Sequence, residues 1–135
     1  MANEIEIIKT GEQILCYIIR HTLQPDKTVF ITPPESKQQV GFVVYKKGGM
    51  IKRHIHRSLE RHLIGMSEVL VVRSGSCQID VYDDQKNLIA TRDLLVGDVV
   101  IMSAGGHGFR ILEDTILLEI KQGPYLGREK MKHVF

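Results

Sequence analysis

Along most of this chain, apolar runs of four to seven residues are broken at close intervals by Gly, Asp, Asn or Pro. Such runs with turn residues between them are the pattern of an all-β sandwich or barrel, whereas a helix repeats its apolar stripe roughly every three to four positions over a longer window. The pattern predicts strands at 14–19, 28–32, 40–45, 50–56, 68–73, 78–82, 88–94, 98–102, 108–112 and 115–121. Between them, Lys46-Lys47-Gly48-Gly49, Ser74-Gly75-Ser76, residues 83–87 and Glu113-Asp114 supply turn chemistry, because glycine reaches positive φ at little cost and Asp or Asn satisfies nearby backbone groups. Short turns join antiparallel neighbours. The prolines of Thr32-Pro33-Pro34 remove backbone donors and predict an extended connection. Residues 57–67 lack any alternation and predict a long loop, and 123–135 a short helix or an ordered tail.

Period-two alternation sorts these strands into faces. If His54 and His56 face inward, so do Met50 and Lys52; Glu68, Leu70 and Val72 form a second set, His107, Phe109 and Ile111 a third, and Ile116, Leu118 and Ile120 a fourth. The expected interior is apolar at one end and carries Lys52, His54, His56, Glu68 and His107 towards the other. Outward-facing Ile51, Ile55, Val69 and Val71 need a cover. The expectation is that the N-terminal strands and a second subunit supply it, as a symmetric homodimer.

Composition narrows the function classes. A chain of 135 residues fits one domain with a substantial core. With 43% hydrophobic and 25% charged residues it reads as an ordinary soluble protein. It has no apolar run of membrane-spanning length and no signal-peptide pattern at residues 1–11, so the expected location is the cytoplasm, with no membrane partner. A net charge of +2 is too small to announce a nucleic-acid partner. Basic residues do cluster locally, as Lys46, Lys47, Lys52, Arg53, Arg57 and Arg61, a solvated face by default or a field that draws a small anionic ligand. Cys16 and Cys77 lack any Cys-x-x-Cys spacing and are expected as buried thiols.

The most specific chemistry is His54-x-His56. Residues two apart on a strand share a face at about 6.6 Å, so both imidazoles could converge on one ion at metal–nitrogen distances of about 2.0–2.1 Å. A carboxylate and a third imidazole from neighbouring strands would complete a mixed nitrogen and oxygen shell, which suits transition metals rather than calcium or magnesium. Glu60 and Glu68 are both spaced to supply the carboxylate. Glu68 is preferred because Glu68-Val-Leu-Val-Val-Arg73 reads as a strand, whereas Glu60 lies in the irregular 57–67 stretch.

Gly48-x5-His54-x-His56, Glu68-x6-Gly75 and Gly97-x5-Ser103-x-Gly105-x-His107 together resemble the two motifs of a small single-domain cupin. The chain departs from the family pattern in three places: eleven residues separate His56 from Glu68 where the family has a short link, Ser103 stands in place of a proline, and His107 arrives one residue early with no asparagine following. More finely, His54 to His56, Arg61, Gly65 to Leu70, Gly105 to Phe109 and Lys121 to Tyr125 are similar to uncharacterised cupins associated with bacterial surface-polysaccharide gene clusters.

This resemblance implies one cupin domain over 1–135, an antiparallel double-stranded β-helix or jelly roll. It also implies a divalent transition metal (Zn, Fe, Mn or Ni) on His54, His56, Glu68 and His107. Lys52 and Arg61 would then hold the negative group of a small, sugar-like substrate, and isomerisation is the reaction named first. A non-catalytic ligand-binding module and an iron-dependent dioxygenase are the alternatives. A metal-free epimerase with a histidine base is a further reading that leaves the paired histidines unexplained. His62, His21 and His133 carry no signal.

Overall fold

The computed structural model describes residues 4–135. Its elements in chain order are β1 Ile5–Thr10, β2 Gln13–Ile19, β3 Val29–Phe30, β4 Gly41–Phe42, β5 Glu68–Ser74, β6 Cys77–Tyr82, β7 Leu88–Leu94, β8 Val99–Met102, β9 Gly106–Ile111, β10 Ile116–Lys121 and a helical turn, α1, Arg128–Met131. The protein is all-β, and every strand pair among the described residues is antiparallel. Among the described residues no helix is long and apolar enough to cross a membrane. The chain forms two compact units, one from residues 4–23 and 66–135, the other from 24–65.

The larger unit holds a five-stranded sheet in the order β1-β2-β8-β5-β10 and a three-stranded sheet in the order β7-β6-β9. Alternation decides what each strand turns to the core: Ile18 of β2, Val100 of β8 and Leu70 of β5 are register partners in one row. They pack with Leu15, Val72, Cys77, Ile79, Val81 and Leu94 in the main hydrophobic cluster, so the core lies between the sheets and both contribute. Burying a Leu, Ile or Val side chain stabilises the fold by about 1.5–3 kcal/mol. Cys16 and Cys77 are buried free thiols, and burial pushes the Cys16 thiol up to about 12.

The sheets are fastened at one side by Arg92 of β7, whose guanidinium donates from Nε to both carboxylate oxygens of Glu6 on β1, at 3.0 and 2.8 Å. Among the described residues no strand pair joins the two sheets, so they do not close into one barrel.

A second fastening is a carboxylate. Asp98, fully buried, accepts from the backbone N–H of Leu95 at 2.9 Å and of His21 at 2.8 Å. It also meets the His21 ring at 3.0 Å and Arg20 Nη1 at 2.9 Å. Burial alone would push this carboxyl up; the four partners outweigh it and hold the group below the ordinary aspartate value. Asp98 thereby ties the end of β2 to the start of β8.

Several expectations change. The predicted first strand at 14–19 is preceded by a further strand, β1, which pairs with β2 through a turn at Gly11, φ 57°. The predicted strands at 28–32 and 40–45 shrink to two residues each, which pair with one another in the smaller unit. The strand predicted at 50–56 is absent: the segment is irregular, and Met50, Ile51 and Ile55 are 84%, 61% and 94% exposed. A strand exists only by pairing, and no described strand offers this segment a partner. Residues 57–67 are irregular, as the sequence implies.

On β10 the expected faces are reversed. An irregularity between Ile116 and Leu117 shifts the register, so Leu117 packs on the core while Leu118 and Ile120 stand outside, opposite Val71 and Val69. Leu118 and Ile120 are 43% and 47% exposed.

Candidate functional site

β5 opens on Glu68, and register places this residue beside Met102 of β8 and Lys121 of β10, on the core-facing side shared with Leu70 and Val72. In the other sheet β9 opens immediately after Gly105, whose φ is 70° and whose missing side chain is required: a Cβ there would collide with the Tyr82 carbonyl oxygen. This turn delivers His107 opposite Val81 of β6. The two sheets thus bring Glu68 Oε2 within 3.2 Å of His107 Nε2.

Glu68 is buried and His107 half-buried. The hydrogen bond from His107 is the main reason the Glu68 carboxyl lies below its ordinary value; burial opposes it, and the charges of His107 and Lys121 add to it. Glu68 is therefore an anion at neutral pH, held in place by an imidazole. With Nε2 turned to the carboxylate, the neutral ring carries its hydrogen there and presents Nδ1 as its basic atom.

Both residues line a cavity of about 590 Å³ within the larger unit. Met66, Met102 and Ala104 supply its apolar wall, Tyr82 and Phe135 its aromatic wall, and Lys86, Lys132 and His133 its basic groups. The volume suits a small ligand. Phe135 stands edge-on to Tyr82, with ring centroids 5.1 Å apart, and lies 3.1 Å from where a Cβ on Gly106 would be.

The smaller unit holds the remaining expected residues. His54 and His56 are exposed, with ring centroids 5.1 Å apart, and His54 Nδ1 meets the Lys52 carbonyl oxygen at 2.8 Å. Their proximity comes from local chain geometry rather than from a strand. Lys52, Glu60, Arg61 and His62 are exposed on the same irregular stretch. A shallow apolar hollow of about 650 Å³ lies at Phe30, Ile31, Thr32, Pro33, Pro34 and Gln39, with no titratable side chain for chemistry.

The ligand set implied for a metal is thus described as two pairs, His54 with His56 and Glu68 with His107. Among the described residues no three His, Cys, Asp or Glu side chains gather as a metal-holding group. Within the larger unit the chemistry on offer is that of a carboxylate and an imidazole.

Reasoning from sequence missed the cavity's other walls. His133 and Phe135 approach it from the end of the chain and Lys86 from the β6–β7 turn, and no spacing rule links such distant segments. His21, which carries no motif, proves to be a partner of Asp98.

No protein-family model matches the chain, and the comparisons with curated proteins and with solved structures find no match.

Proposed function

We propose that this protein is a cupin-like isomerase or epimerase of a small, polar, sugar-like metabolite, with Glu68 and His107 performing the proton transfer. The observation that carries this reading is the 3.2 Å contact between Glu68 and His107 on the wall of a cavity of about 590 Å³. A base hydrogen-bonded to a buried carboxylate is the arrangement that stabilises the imidazolium formed when a proton is taken up. In the proposed step His107 removes a proton from the hydroxyl-bearing carbon next to a carbonyl, leaving an enediolate, and returns it to the neighbouring carbon while a hydroxyl proton passes from one enediolate oxygen to the other, or to the opposite face of the same carbon after the enediolate has turned over in the cavity. The proton count balances, and no oxidant or leaving group is needed. The antiparallel sandwich and the Gly105-x-His107 turn support a place among cupins.

The reading is tested by incubating the protein in D2O with reducing sugars and their monophosphates and following loss of the carbon-bound proton next to the carbonyl by proton NMR. The wild type should exchange at least one member of the panel. His107→Asn and Glu68→Gln should each slow that exchange by about 10²–10⁴-fold, the range for a positioned acid or base. Exchange at the wild-type rate in both variants would refute it.

A further inference from the structure

Lys86 occupies an unusual backbone position for a lysine. The β6–β7 turn closes with Lys86 N–H donating to the Asp83 carbonyl at 3.1 Å and Asp83 N–H to the Asn87 carbonyl at 3.0 Å. The Asp83 side chain takes up the backbone N–H of Gln85 at 3.0 Å and of Asn87 at 2.9 Å. This leaves Lys86 in the left-handed region at φ 69°, the one described residue other than glycine there. Glycine or asparagine is the ordinary choice at such a φ, because a Cβ crowds the following carbonyl. Lys86 takes this position with a long, charged side chain.

That side chain lines the cavity. Its ammonium lies 3.4 Å from His133 Nε2 and 5.8 Å from the centre of the Phe135 ring. Among the described residues no carboxylate forms an ion pair with it; the ion pairs of Arg20, Arg92, Arg110 and Lys121 are made elsewhere. Of the side chains lining the cavity, Lys86, Lys132, His107 and His133 are basic and only Glu68 is acidic, already engaged with His107. The side chains of the wall are therefore predominantly basic, with an ammonium and an imidazole side by side.

We propose that Lys86 and His133 are the anion-holding residues of this cavity, and that its ligand is a small metabolite bearing a compact oxyanion such as a phosphate monoester. This rests on the reading that the same cavity is the reaction site, and it moves the anion contact from Lys52 and Arg61 to Lys86 and His133. An ammonium serves as a point charge for a phosphate, and the edge of the Phe135 ring and the methionines accept the less polar body of the ligand.

The experiment is calorimetric titration of the full chain with glucose 6-phosphate, glucose and inorganic phosphate, on wild type, Lys86→Asn, Lys86→Arg, His133→Ala, Arg61→Ala and Glu68→Gln. Asparagine tolerates the left-handed region, so Lys86→Asn removes the charge while keeping the turn. The expected result is that wild type binds the sugar phosphate and not glucose, that Lys86→Asn weakens binding at least about tenfold with no loss of thermal stability, that His133→Ala weakens it several-fold, and that Lys86→Arg keeps most of it. Glu68→Gln should retain binding, which separates this proposal from the catalytic one: exchange can fail while the anion site stands. Unchanged binding in Lys86→Asn, loss on Arg61→Ala instead, or equal binding of glucose and its phosphate would each overturn it, as would absence of binding by the wild type.

Discussion

His107 Nε2 lies 3.2 Å from Glu68 Oε2 although the two side chains belong to different sheets. The contact is a hydrogen bond across the sandwich, and it places an ionised carboxylate at the end of an otherwise apolar row, next in line to Leu70 and Val72 on β5. Both residues also line the cavity of the larger unit.

This pair predicts a definite acid dependence. The Glu68 carboxyl is lowered on folding, chiefly by His107. A group whose folded value is depressed contributes stability above its unfolded value, about 4.3 for glutamate, and loses it as pH falls through the lower folded value. Urea unfolding of wild type and Glu68→Gln should therefore differ most above about pH 5, with the gap narrowing on further acidification. A gap that stays constant from pH 7 down to pH 3 would show that the ionised carboxylate contributes nothing.

Asp98 should be the most costly single polar side chain to remove from the larger unit. Its carboxylate serves two backbone N–H groups and two side chains while fully buried. Asp98→Ala orphans those backbone donors, and a loss of about 2–4 kcal/mol is expected, since Arg20 and His21 are partly exposed and can be rehydrated. Asp98→Asn, which keeps an acceptor but no charge, should cost less. Both are read from chemical denaturation at neutral pH.

The two imidazoles at His54 and His56 supply a test of the metal set implied by the cupin resemblance. Zinc titration at neutral pH should show binding that disappears in the His54→Ala, His56→Ala double variant and weakens as the pH is lowered, because only neutral imidazole is a ligand. If the ion sits on this pair alone, Glu68→Gln leaves the affinity unchanged. A joint loss in both variants would assemble the four residues into one shell and move the reaction onto the metal.

The alternation of β5 made its core face legible from sequence, and the glycines at positions 48 and 75 marked turns with positive φ. Each depends on neighbours in sequence: side chains alternate along a strand, and a left-handed turn selects glycine wherever it occurs. Segment 50–56 shows the limit of that reasoning. Its Met-Ile-Lys-Arg-His-Ile-His pattern suits a strand, but a strand needs a partner's backbone, which local pattern cannot supply.

Glu68 and His107 could be named from sequence as candidates, yet their contact depends on two sheets packing face to face. The outward turn of Leu118 and Ile120 follows from one register shift in β10. Lys86, His133 and Phe135 come to one cavity wall from a turn and a distant chain segment. Sequence by itself determined the strands' composition, the turns and the chemical groups at hand; tertiary structure decided which of those groups meet, because pairing and packing are long-range and a single-residue shift in register reverses the face a side chain takes.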